Sequence, residues 1–161
     1  IIPPCHGGVR GSIPRRTAII RMNTIIISLL ILCYALALGI IFAQVLLTAP
    51  VIFKVLDNQN ASNFLRKIFP RYYFLLLLIT LLALLISYLF FNKFDIYIAL
   101  VAVSFSLLGY LIIPLTNIAK DRGWNTIFKL LHNLSVFNTI VITIIAIIQI
   151  FRVTTIQPII S

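Results

Sequence analysis

Four long apolar segments dominate the sequence, and each is long enough to cross a membrane as a helix. They cover residues 25–48, 72–91, 96–118 and 130–151. Roughly 20 apolar residues, rising about 1.5 Å each, span a hydrocarbon core of about 30 Å. Because the connections are short, neighbouring segments are expected to run antiparallel. The sequence therefore predicts an all-α integral membrane protein, built as an antiparallel four-helix bundle.

The composition excludes a soluble domain of this size. The mean hydropathy is +1.14, and 61% of the residues are hydrophobic while only 10% are charged. A soluble domain needs more polar surface, so lipid must solvate most of this chain. The net charge of +10 would favour nucleic acid in a soluble protein, but membrane proteins gather Lys and Arg in cytoplasmic loops. We therefore expect the lipid bilayer as partner, and no nucleic acid.

The first 21 residues differ from the rest because they are rich in Pro, Gly and Arg. They are predicted to be a disordered basic tail, foreign to the native protein if translation starts at Met22. The alternative is a basic arm at the membrane surface. From Met22 onward, the loops after the first and third segments (loops one and three) carry seven Lys and Arg, against two on the other side. If translation starts at Met22, this bias predicts that loops one and three are cytoplasmic, in a bacterial inner membrane. With the tail counted, the other side carries six Lys and Arg and the bias nearly vanishes.

The first segment carries two faces suited to contacts. Ala35, Gly39 and Ala43 recur at four-residue spacing, and small residues so spaced let another helix approach closely. Gln44 and Thr48 belong to a polar stripe on the opposite side. We predict helix packing on the first face and polar partners for the second.

A short amphipathic stretch follows in loop one. Phe64 and Phe69 belong to an apolar face with helical spacing, while Arg66 and Lys67 occupy the other side. The pattern predicts a short interfacial helix on anionic lipid head groups, ended by Pro70. The alternative is a solvated loop in which the phenylalanines are incidental.

Polar residues also gather on one side of the last segment. They are Asn125, His132, Ser135, Thr139 and Thr143, with Asn138 close by. Polar groups facing lipid would lack partners, so we expect this arc to face the first helix. Gln44 and Thr48 are the predicted partners there, which makes the arc a candidate ligand site or packing site.

Reactive chemistry has little support in the sequence. His132 is the only histidine beyond the tail, and as a haem or copper ligand it would need partners that the sequence hardly supplies. The alternative is a hydrogen-bonding histidine at a helix entry. Asp57, Asp95 and Asp121, the only acids, are assigned to loops. We predict no catalytic residue and no cofactor.

The preferred function is therefore a non-enzymatic accessory or small-molecule-handling membrane module. A haem- or copper-binding redox protein that uses His132 is the alternative. A single bundle of four helices encloses little volume, so a path for a solute would need a homo-oligomer or a larger membrane complex.

Three sequence elements carry a resemblance to a known family. Residues 49–53 read APVIF, residues 68–73 read IFPRYY, and residues 128–138 read FKLLHNLSVFN. With these elements the chain resembles the bacterial domain-of-unknown-function family 4149, which is similar to eukaryotic transmembrane protein 205. The resemblance covers residues 24–152 and implies a four-helix membrane bundle without an established activity. More distantly, the layout looks like the small membrane bundles of the copper-resistance D and haem-pathway oxidase types.

Overall fold

The structure, a computed structural model, describes residues 13–155, and this part of the chain is helical almost throughout. A π-helical segment, Ala43–Thr48, joins the first helix to the second. The helices are α1 (Ile13–Phe42), α2 (Ala49–Val55), α3 (Asn58–Phe90), α4 (Lys93–Asp121) and α5 (Asn125–Thr155).

Four helical stretches of the described chain are long and apolar enough to cross a membrane. They are Ala18–Val55, Asn58–Phe90, Lys93–Asp121 and Asn125–Thr155. Most of their large apolar side chains point away from the protein and are exposed, as expected for surfaces that lipid solvates. The prediction of an all-α, multi-pass membrane bundle is confirmed.

The four long helices form a ring in which α1 packs against α3 and α5, and α4 packs against the same two helices. Within the described residues, α1 and α4 lie diagonally opposite, as do α3 and α5, and the Cα atoms of diagonal helices stay more than 8 Å apart. The interior contains one apolar cluster toward each end. Leu30, Tyr34 and Ala146 belong to the cluster near the α3–α4 connection, whereas Tyr73 and Ile113 belong to the other.

Helix α1 begins earlier than the sequence predicted. Residues 13–21 are helical, so the prediction of a disordered tail over residues 1–21 is wrong for this part; residues 1–12 lie outside the described residues. Pro14 falls in the first turn, where its fixed φ suits a helix and its missing N–H would have no partner. The helix of the apolar span therefore extends back through this basic stretch.

The first span also ends later than predicted. Pro50 was expected to close it after Thr48, but the chain stays helical to Val55. Pro50 lies in the first turn of α2, a position that tolerates proline. The preceding π-helical segment uses wider bonds, for example the Ala49 N–H donating to the Gln44 carbonyl.

Helix α3 runs unbroken through Pro70, so the prediction of a separate helix ended by this proline is wrong. Its 33 residues correspond to about 50 Å, well beyond the roughly 30 Å of a hydrocarbon core. Asp57 caps its beginning by accepting from the Asn60 N–H. Ala61 and Tyr73, on either side of the proline, are buried in the bundle and anchor both halves.

Candidate functional site

A cavity of about 460 Å³ opens between α2, α3, α4 and α5, at the end of the bundle that carries loops one and three. Its apolar lining comes from Ala49, Phe53, Leu65, Phe69, Ile113 and Phe128. Its polar lining comes from Asn58, Ser62, Arg66, Thr116, Asn117, Lys120, His132 and Ser135. The volume lies within the range of about 300–1,000 Å³ that is usual for small-molecule sites.

Helix α2 forms the loosest wall of this cavity. It continues the π-helical segment and packs only lightly on α3. Phe53 lines the cavity, yet 64% of its surface is exposed. On the side of α2, the cavity is therefore lined by a side chain that is also exposed on the outside of the bundle.

Two cations line the cavity where α3 and α4 meet. Arg66 donates from Nη1 to Oδ2 of Asp121 at 3.0 Å, and its Nη2 pairs with the other carboxylate oxygen. Lys120 donates from Nζ to the Ser62 hydroxyl at 2.8 Å. Its ammonium also lies 6.0 Å from the centre of the Phe128 ring, within reach of a cation–π attraction. Among the described residues, no acidic side chain lines the cavity.

Tyr73 forms hydrogen bonds with Ser135, which lines the cavity, and with the neighbouring Thr139. Its hydroxyl lies 2.9 Å from Oγ of Ser135 and 3.1 Å from Oγ1 of Thr139. It also donates to the Ser135 carbonyl at 3.1 Å. The ring crosses the bundle because Gly109 faces it, and a Cβ at Gly109 would overlap the ring atoms. Tyr73 thus links the diagonal helices α3 and α5.

The prediction for the polar arc of α5 is partly correct, because some of its residues face the interior of the bundle, but the predicted partners are wrong. Ser135 and Thr139 turn inward, but they meet Tyr73 rather than Gln44 or Thr48. Thr48 donates to the carbonyl of Ala43. Gln44 is buried, and its Nε2 has no partner among the described residues. Tyr73 therefore takes the place predicted for Gln44 and Thr48, because its long side chain reaches α5 from α3. Gln44 and Thr48 lie in the π-helical segment, whose wider turns alter the direction of its side chains.

The remaining members of the arc divide between surface and core. His132 is exposed, lines the cavity and stacks on Phe128 with ring centres 6.2 Å apart. Asn138 is fully buried and donates to the carbonyl of Phe105 on α4. Asn125 begins α5 and is exposed, while Thr143 donates to the carbonyl of Thr139.

The predicted packing face of the first helix contacts no other helix of the described chain. Ala35, Gly39 and Ala43 are all exposed, and a Cβ at Gly39 would meet nothing within 4 Å. The prediction is therefore wrong within this chain. The glycine at a close approach is Gly109, and α1 packs through the opposite side, where Ala37 is buried.

The residues predicted to be interfacial separate into two pairs. Arg66 and Phe69 line the cavity, whereas Phe64 and Lys67 are exposed on the outside of α3. Contact of Phe64 and Lys67 with lipid head groups stays a prediction.

Sequence reasoning missed a buried ionic cluster at the other end of the bundle. Asp95 was assigned to a loop, but it lies in the first turn of α4 and is fully buried. Its carboxylate accepts from Gln149 Nε2 at 2.8 Å and from Arg152 Nε at 3.0 Å. The signal in the sequence was Asn92, three residues before Asp95, which caps the helix. A second signal was the three-residue spacing of Gln149 and Arg152, which puts them on one helix face.

The described residues offer few side chains that could bind a metal ion. They contain no group of three or more His, Cys, Asp or Glu side chains that could hold a metal ion. His132 is therefore not part of such a group, and a haem or copper site that uses it stays a prediction. The absorption spectrum of the purified protein decides this alternative.

Comparison with known proteins identifies the family. A family model described as "Domain of unknown function (DUF4149)" matches residues 32–125, more than half of the chain. The match runs from within α1 to the first residue of α5 and contains two of the three sequence elements given above. No curated protein and no solved structure matches the chain, and the similarity to transmembrane protein 205 stays a prediction. The chain, with its four helices that are long and apolar enough to cross a membrane, belongs to the DUF4149 family.

Proposed function

We propose that this protein is a small-molecule-handling membrane module that binds an amphiphilic molecule in the cavity between α2 and α5. The observation that carries the proposal is the cavity itself, with its volume of about 460 Å³ at one end of a membrane bundle. The protein binds this molecule without converting it.

The lining of the cavity matches a molecule with an apolar body and a polar head. Phe53, Phe69 and Ile113 offer apolar surface, while Ser62 and Asn117 offer hydrogen bonds. Apolar walls with a few placed polar groups are typical of ligand sites. Because the outer faces of the helices are apolar, the bilayer itself is the nearest source of such a molecule.

The position of the cavity ties its use to one half of the bilayer. It is lined by α2 and by the facing ends of α3, α4 and α5, the end that carries loops one and three. With the positive-inside bias, this end faces the cytoplasm of a bacterial cell. The module then takes its ligand from the cytoplasmic leaflet of the inner membrane.

The test uses the whole protein in nanodiscs that contain a phospholipid with a diazirine group in one acyl chain. One set contains the phosphatidylcholine probe and a second set contains the phosphatidylglycerol probe. After illumination, mass spectrometry locates the cross-links. In at least one set we expect labelling at Phe53, Phe69 or Phe128 to exceed labelling at the exposed Leu82 and Leu85 of α3.

A matched pair of variants separates binding from simple contact with lipid. Ala49→Phe places a ring in the cavity lining, whereas Val51→Phe places the same ring at an exposed position of α2. We expect Ala49→Phe to reduce cavity labelling to the level of the leucines and Val51→Phe to leave it unchanged. Equal labelling of cavity and leucines in the wild-type protein with both probes would overturn the proposal.

A further inference from the structure

We infer that the head group held in this cavity is an anion, a phosphate or a carboxylate, bound by Lys120 and Arg66. The inference rests on the proposed function and names the chemical class of its ligand.

The charge of the lining supports an anion. Lys120 donates to the neutral hydroxyl of Ser62 and forms no salt bridge among the described residues, while the adjacent Asp121 feels its charge at longer range. Asp121 balances Arg66, but Asp121 does not belong to the cavity lining. In the described chain the lining therefore carries a positive charge that an anionic head group would neutralise.

An unused donor on Arg66 supports the same ligand. Asp121 occupies the two terminal nitrogens of the guanidinium. The Nε atom is buried and has no acceptor among the described residues. A buried donor without an acceptor is costly, and an anionic oxygen would satisfy it once the Arg66 side chain turned this atom toward the cavity that it lines. Hydrogen bonds between a guanidinium and such an oxygen are among the stronger ones in proteins.

The apolar lining restricts the anion to the head of an amphiphile. Phe53 and Phe69 would gain nothing from free phosphate, whereas they can cover the chain that follows a phosphate or carboxylate. Two sources share this chemistry: an anionic phospholipid of the bilayer and a long-chain phosphate ester from the cytoplasm.

The experiment compares the two nanodisc probes at equal mole fraction. Phosphatidylglycerol carries a net negative charge and phosphatidylcholine does not. A charge-assisted hydrogen bond contributes about 1.5–3 kcal/mol, so we expect at least about tenfold more cavity labelling by phosphatidylglycerol. Lys120→Gln should remove most of this preference. Lys129→Gln, an equal change of charge at an exposed residue outside the cavity lining, should preserve it.

Arg66→Lys gives a second, independent variant. It keeps a positive charge opposite Asp121 but lacks the Nε donor, so we expect a reduced preference for phosphatidylglycerol with wild-type thermal stability. An unchanged preference in both Lys120→Gln and Arg66→Lys would overturn the inference.

Competition identifies the source of the anion. Dodecyl phosphate, added from water, should displace the phosphatidylglycerol probe, and dodecyl maltoside should not. Displacement only above the concentration of phosphatidylglycerol itself assigns the site to the bilayer lipid, and displacement at trace concentration assigns it to the soluble ester. Displacement by inorganic phosphate as readily as by dodecyl phosphate would overturn the inference, because the apolar lining would then contribute nothing.

Failure of the inference differs from failure of the proposed function. If both probes label the cavity equally and Ala49→Phe removes the label, an amphiphile binds but its charge is not recognised. If neither probe labels the cavity above the exposed leucines, the proposed function itself fails.

Discussion

Gly109 and Gly39 lie in apolar helices of the same bundle but have opposite surroundings. A Cβ at Gly109 would overlap the ring of Tyr73, whereas one at Gly39 would meet nothing within 4 Å. We expect Gly109→Ala to destabilise the protein by overpacking, by about 1–3 kcal/mol. Gly39→Ala should be neutral or slightly stabilising, because alanine favours a helix by up to about 1 kcal/mol relative to glycine.

Thermal unfolding of both variants in the same detergent checks this expectation. A lower melting temperature for Gly39→Ala, with Gly109→Ala unchanged, would mean that the first helix packs through its exposed side. The pair shows why sequence spacing alone is not enough. Ala35, Gly39 and Ala43 have the small-residue spacing of a packing face, but only the neighbouring helices decide which small residue is approached.

At the scale of elements, the beginning of α4 and the end of α5 are joined by a buried ion pair. Asp95 accepts from Gln149 and Arg152, and the Arg152 guanidinium lies 4.0 Å from the centre of the Phe94 ring. We expect Asp95→Ala to cost about 3 kcal/mol, near the lower end for a buried pair, because Arg152 loses its partner while 27% of its side chain is exposed. Asp121→Ala, which breaks the exposed pair with Arg66, should change the melting temperature little.

The measurement is thermal unfolding of both variants beside the wild-type protein. Equal melting temperatures for Asp95→Ala and Asp121→Ala would show that the buried pair does not hold the two helices together. Replacing both Asp95 and Arg152 with apolar residues should recover part of the loss, since neither charge is then left unpaired.

The helices themselves could be predicted from apolar run length, whereas their ends and partners could not. Four runs of about 20 residues are enough to predict four spans. Pro50 and Pro70 were expected to end helices. Pro50 lies in the first turn of α2, whereas Pro70 lies inside α3, whose buried residues on both sides of the proline stabilise the helix. Asp95 was placed in a loop because the third apolar segment was taken to begin at residue 96. Its partner Arg152 lies 57 residues away, beyond the reach of local patterns.

At the scale of the whole molecule, orientation in the membrane stays a prediction that rests on the distribution of Lys and Arg. The native Cys33 is buried, so single cysteines can report the side of each loop once Cys5 is replaced. With translation from Met22, we expect Gln59→Cys to be shielded from an impermeant thiol reagent in intact cells. Thr155→Cys should be labelled, because it lies at the opposite end of the bundle. The reverse labelling pattern would contradict the positive-inside assignment.

Some residues of the candidate site could be predicted from the sequence, whereas its two cations could not. His132 and Ser135 were singled out because polar residues are rare in apolar helices, and both line the cavity. Arg66 was predicted to lie on lipid head groups rather than in a cavity, and Lys120 was not predicted as a site residue, since cations near loops usually serve orientation. Their joint position depends on the packing of α3 against α4, which no spacing within either helix predicts.

The cavity reaches only a short way into the bundle. Along α4 its lining extends from Lys120 to Ile113, whereas Ala102 and Ala99 farther along are buried in close contact with neighbouring helices. Asp95 lies about 27 Å from Ile113 along the helix axis. On the proposed function, a molecule bound in the cavity would therefore leave by the way it entered. Occupancy would follow the composition of one leaflet alone, so the protein would act as a reservoir or sensor for that leaflet rather than as a passage between the two.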